Sequence, residues 1–187
     1  MGADPGGQGK FGVAFLEVGG ETECFTVSSV DEAVERIASK GQPHGIGIDA
    51  PMWWSARKNG RRKADGRLRE RYPDAANSVL WINSLRGAAL VGGTMLAFRI
   101  RQEFGDVRIT ESHPKALLKV PAFTEKFGTF GDSKNEHERD ALIAAVCARE
   151  GFRERWTADL AKRRYDSEQD PKSYWLAPMH YFWPERI

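Results

Sequence analysis

The sequence predicts an α/β domain on a mixed five-stranded sheet, three antiparallel N-terminal strands followed by parallel ones, flanked by helices. Three observations carry this. Two apolar runs meet at Gly19-Gly20 near the N-terminus. An amphipathic stretch leads from them into the short apolar run Gly45-Ile46-Gly47-Ile48. A second such run, Val107-Arg108-Ile109-Thr110-Glu111, precedes a long apolar helix. Strands joined by a tight turn run antiparallel, whereas strands joined through a helix run parallel.

Taken in order, residues before Pro5-Gly6-Gly7 form a short first strand that ends on Asp4. Residues 11–18 and 21–27 form a hairpin. Ser29 caps a helix whose apolar residues Val30, Ala33, Val34, Ile37 and Ala38 recur at helical spacing, and Gly41 stops it. Gly45 to Ile48 alternate between no side chain and a β-branched one, which suits a buried strand with close neighbours on one face. Asp49 stands where that strand ends, because Pro51 has no N–H for a ladder and holds Ala50 extended. Its carboxylate either caps the turn or faces the crevice where open α/β sheets bind ligands.

A helix over about 84–104 offers Leu85, Ala88, Ala89, Met95, Leu96 and Ile100 as a buried face. Gly92-Gly93 inside it costs roughly 1 kcal/mol each relative to Ala, unless a neighbour packs closely there. Ser112-His113-Pro114 breaks the strand ending at Glu111, and a short helical turn follows over 115–120. Ser133 or Asn135 caps a buried helix running through Ala141-Leu142-Ile143-Ala144-Ala145-Val146. Asp140, in its first turns, either stabilises the positive end of that helix or faces the sheet.

At 187 residues the chain is expected to be one domain, 1–187, with a basic and helical insertion at about 52–106 and an aromatic tail at about 151–187. A formal charge of +2 does not by itself announce nucleic acid, so the argument must come from where the charge sits. Cys24 and Cys147 match neither a metal-ligand spacing nor a disulfide framework. Without an apolar run long enough to span a bilayer or a leader-like segment, a cytoplasmic location and no membrane partner are expected.

Four acids stand out by position: Asp4, Asp49 and Glu111 at strand ends, and Asp140 near a helix start. Adjacent parallel strands would bring them to one edge, where carboxylates must take up protons or a cation. Hard cations such as Mg²⁺ or Mn²⁺ take oxygen ligands, and a pair about 4 Å apart clamps the attacking and leaving oxygens of a phosphodiester.

Asp4-Pro5-Gly6-Gly7, Gly47-Ile48-Asp49-Ala50-Pro51, Glu111-Ser112-His113-Pro114 and Asp140-Ala141-Leu142-Ile143-Ala144-Ala145, in that order, resemble the ribonuclease H-like superfamily. More closely, residues 2–150 resemble the DUF429 group of predicted nucleases. The resemblance implies two bound Mg²⁺ or Mn²⁺ ions, with Asp4, Asp49 and Asp140 as ligands and Glu111 assisting or orienting water. Arg62 and Asp65 resemble a group signature. Some relatives carry a pair of acids where this chain has Asp140 alone. His113, whose unperturbed pKa is near 6.5, is a proton shuttle or a structural residue.

Residues 57–71 hold eight basic and two acidic side chains. With Trp53 and Trp54 ahead of them, they read either as a groove for DNA or RNA or as a solvated loop beside two buried rings. In the groove reading Arg61, Arg62 and Arg67 hold phosphates and Trp54 stacks a base. The expected function is metal-dependent hydrolysis of nucleic acid. A catalytically silent nucleic-acid or protein-binding module and a sugar-kinase-like phosphotransferase are the alternatives.

Overall fold

Three antiparallel strands open the chain, β1 (Gly2–Asp4), β2 (Phe11–Leu16) and β3 (Thr22–Val27). They belong to a computed structural model describing residues 1–17, 19–55, 60–82, 85, 87–162, 172–174 and 179–186. Helix α1 (Val30–Lys40) follows, and its entry is satisfied from both sides. The Ser29 hydroxyl accepts from the Glu32 amide, and the Glu32 carboxylate accepts from the Ser28 amide. A helix start otherwise leaves such donors unpaired. The chain then enters β4 (Gly45–Ile48), parallel to β1, as a helical crossover requires.

Strand β5 (Trp53–Ser55), helix α2 (Lys63–Arg71), a 3-10 turn at Pro73–Ala75 and helix α3 (Gly87–Phe104) come next. The basic stretch, read from sequence as a groove or a solvated loop, is helical over α2. Ala64 and Leu68, four residues apart, bury one narrow stripe of it. Arg57 and Lys58 lie outside the described residues. Helix α3 runs unbroken through Gly92-Gly93. A Cβ at Gly93 would lie 2.2 Å from the Ala50 Cβ, so the bare backbone lets α3 close on the loop after β4.

Strand β6 (Arg108–Glu111) pairs parallel with β4. The turn expected over 115–120 is two helices, α4 (Pro114–Leu117) and α5 (Pro121–Phe127), each opening on a proline that misses no helical N–H. In α6 (Glu136–Phe152) the cap is Asn135, whose side chain accepts from the Glu138 amide at 2.9 Å. The tail supplies β7 (Ala158–Asp159), β8 (Lys172–Tyr174), β9 (Met179–His180) and β10 (Phe182–Trp183).

The main sheet has six strands, not five, in the order β3-β2-β1-β4-β6-β9. The sixth comes from the aromatic tail: β9 pairs parallel with β6. Strands β5 with β8, and β7 with β10, form two small antiparallel pairs.

The Gly–Ile alternation of β4 separates two faces. Ile46 and Ile48 join Phe11, Val13 and Ile109 in a core closed by Val34, Ile37, Leu96 and Ile100 of α1 and α3. Each such fully buried side chain is worth about 1.5–3 kcal/mol relative to exposure. Gly47 faces α6, where a Cβ would lie 2.0 Å from the Ala144 carbonyl oxygen; one at Gly2 would lie 2.1 Å from that of Ala141. The missing side chains let α6 lie directly on the sheet. A second core gathers Trp53, Leu68, Leu117, Phe123, Ile143 and Trp183. Among the described residues no helix is long and apolar enough to cross a membrane.

Candidate functional site

Strand pairing puts the first two acids side by side. Gly2 pairs with Gly47 and Ala3 with Ile48, and the Asp49 amide donates to the Ala3 carbonyl at 2.9 Å. Asp4 and Asp49 therefore follow at the same level, where β1 and β4 end. The close approach of α6 supplies the third: Asp140 is 1% exposed and lies within the electrostatic reach of both other carboxylates.

The proton affinities show the crowding. Burial pushes the Asp4 carboxyl up to about 6; the His137 hydrogen bond opposes this and Asp140 adds to it. Burial also holds Asp49 well above the carboxylate range, helped by Asp4, Asp140 and, more weakly, Glu111. Asp140 is raised by burial against the pull of Arg139, whose Nε and Nη2 donate to Oδ1 at 2.9 and 2.8 Å. Lys115 Nζ stands 3.9 Å from Asp140 Oδ2 and 3.2 Å from Glu136. His137 Nδ1 pairs with Asp4 Oδ2 at 2.8 Å.

Glu111 ends the neighbouring strand but points into a different network. Arg62, expected to hold substrate phosphate, is 2% exposed. Its Nη1 and Nη2 donate to Glu111 at 2.7 and 2.5 Å, while Nε and Nη2 donate to Asp65 at 2.7 Å each. The Met52 amide also donates to Glu111, at 3.0 Å. Trp53 covers the guanidinium, with its ring centre 4.3 Å away. Burying a cation requires this: a planar fork used on both edges by carboxylates. Asp65, Glu111 and His113 bring ligand atoms within 4.8 Å of one another, the one such group among the described residues. The guanidinium already supplies positive charge there, so we read the group as ion-paired rather than as a cation site.

His113, expected as a proton shuttle, is buried among these groups. Its Nδ1 pairs with the Tyr181 hydroxyl at 2.7 Å and its Nε2 lies 3.8 Å from Glu111. Burial, opposed by Glu111 and Asp65, leaves its pKa below 6.5, so the ring is neutral at pH 7. Trp54 is partly buried in β5. Arg61 and Arg67 are exposed at the start and on the outer side of α2. Three residues escaped sequence reasoning. His137 had a signal, since three residues before Asp140 on a helix is the same face. Lys115 had only its place after a strand-ending proline. Trp81, described below, had none.

Fold and site together define a mixed α/β domain with three carboxylates gathered where parallel strands end. The chain belongs to the DUF429 family, described as a protein of unknown function, whose model matches residues 2–169. No curated protein and no solved structure matches it.

Proposed function

We propose that this is a ribonuclease H-like domain that hydrolyses phosphodiester bonds of nucleic acid with two divalent cations, Mg²⁺ or Mn²⁺, held by Asp4, Asp49 and Asp140. The observation that carries the reading is the convergence of three carboxylates, all with raised proton affinity. The donor set fits hard cations, being carboxylate oxygens only.

Bound there, the ions would neutralise the acids, lower the pKa of a bound water and support the leaving oxygen. The side chains do the positioning. Asp4, level with Asp49 and near Asp140, would hold an ion with each of them. His137 fixes the Asp4 carboxylate through Nδ1, and Arg139 and Lys115 fix Asp140. Arg62 keeps Glu111 out of the set and in the wall beside it.

One observation favours a second reading, a catalytically silent binding module: Arg139 and Lys115 already offset part of the negative charge, and His137 Nδ1 already occupies an Asp4 oxygen. Labelled DNA and RNA incubated with Mn²⁺ or Mg²⁺ separate the two. The nuclease reading expects cleavage that falls at least about 100-fold in Asp49→Asn and Asp140→Asn, beyond the 10–100-fold typical when only a ligand's supporting partner is lost. Intact substrate with folded wild type and both ions contradicts it.

A further inference from the structure

Helix α2 turns its basic side chains to a pocket of about 750 Å³. Arg61, Lys63, Arg67 and Arg69 line it, and among the described lining residues Glu70 is the one acid. Trp81 forms a wall. The guanidinium carbons of Arg61 and Arg69 lie 4.4 and 4.7 Å from its ring centre. Arg69 is fixed further by hydrogen bonds to the carbonyls of Ala76 and, at 2.8 Å, Val79. Flat cationic groups are thus held against an indole on a braced turn, where guanidinium planes have lost much of their freedom before any ligand arrives.

The pocket adjoins the acids. Arg62 lines it and is bonded to Glu111, which pairs with Ile48, the residue before Asp49. One ion pair therefore forms part of the wall between the basic pocket and the acidic edge.

We infer that this pocket seats a phosphate-bearing nucleotide of a single strand and anchors that strand beside the acids. The volume is that of a small-ligand pocket. Guanidinium groups take phosphate oxygens in pairs, and their planes and the indole offer stacking to a base. A duplex keeps its bases paired inside and presents mainly phosphates, so it uses the charge but not the concave wall. Trp81, not Trp54, is the aromatic residue of this pocket. The strand's cleavage rests on the nuclease reading; its binding does not.

The test is fluorescence anisotropy of a labelled 20-nucleotide single strand, and of the same sequence as a duplex, in EDTA over a salt series. The single strand is expected to bind wild type more tightly than the duplex. Arg61→Glu with Arg67→Glu is expected to weaken single-strand binding at least tenfold and to lower the salt slope by about 1.4, two contacts at roughly 0.7 each. Trp81→Leu is expected to weaken it about 5- to 100-fold with the slope unchanged. Thermal melts accompany every variant. If the double variant does not fold, Arg67→Glu alone, on the exposed side of α2, carries the expectation with a slope change of about 0.7. Unchanged affinity in the folded variants overturns the inference, as does equal or tighter binding of the duplex. Because EDTA removes cleavage from the measurement, the two readings fail separately. Loss of binding in the variants without cleavage by wild type sustains the pocket and sinks the nuclease; cleavage with unaltered variant binding does the reverse.

Discussion

Burial, with Asp140 beside it, raises the hold of Asp4 on a proton, and Asp4 in turn raises that of Asp49; in the metal-free protein this costs stability. The sign follows from Asp4. Its carboxyl, ordinarily at 3.8, is pushed up to about 6 in the fold, so between these values the folded state binds more protons than the unfolded state. Stability from this group falls as pH rises from about 4 to 6 and stays low above that. Asp4→Asn removes the effect. In EDTA the variant is expected to match wild type near pH 4 and to exceed it by about 1–3 kcal/mol at pH 7, or ~2–12 °C in Tm. Paired melts across that range check it. A variant less stable than wild type at pH 7 would mean that the His137 contact outweighs the crowding. Asp4, Asp49 and Glu111 were legible because each stands where a strand gives way to turn formers, and Asp140 because it precedes an apolar helical run. The pairing of Arg62 with Glu111 was not, since residues 49 apart reveal contact only through the topology.

At the scale of elements, α2 is tied to the sheet through Arg62, which bridges Asp65 in its first turn to the end of β6. Removing the guanidinium strands two buried carboxylates. Arg62→Met is expected to cost about 3–5 kcal/mol, the range for breaking a buried ion pair. Arg62→Lys should recover only part of it, because an ammonium cannot serve both carboxylates as a fork does. Denaturant melts measure both; a loss below about 1 kcal/mol in Arg62→Met would show the guanidinium to be solvated rather than structural. Helix α2 escaped sequence reasoning because its buried stripe is two apolar residues wide and the rest is charged. By contrast α1, β4 and α6 announce themselves through caps, periodicity and the Gly–Ile alternation. That alternation also foretold a close neighbour on one face of β4, which proved to be the backbone of α6.

At the scale of the molecule, cores on both sides of one sheet fix the strand ends, and the acids proposed as ligands gather where β1 and β4 stop, with α6 bringing Asp140 to them. The sixth strand lay beyond sequence reasoning because two residues carry no period-two signal, and its pairing with β6 spans about 70 residues of chain. The directions of β1, β2, β3, β4 and β6 were legible from connections alone: a tight turn reverses direction and a helix preserves it. The claim on which the rest depends is that this edge holds cations. Mn²⁺ titration into metal-free wild type and Asp49→Asn at pH 7, read by calorimetry and by Tm, tests it most directly. Two ions per wild-type chain are expected, and ion at a hundredfold excess over Kd should add about 2.7 kcal/mol, or ~5–11 °C in Tm. Asp49→Asn should bind fewer ions and lose most of that rise. Folded wild type that binds no Mn²⁺, or an Asp49→Asn variant with the same stoichiometry and the same rise, would contradict the account.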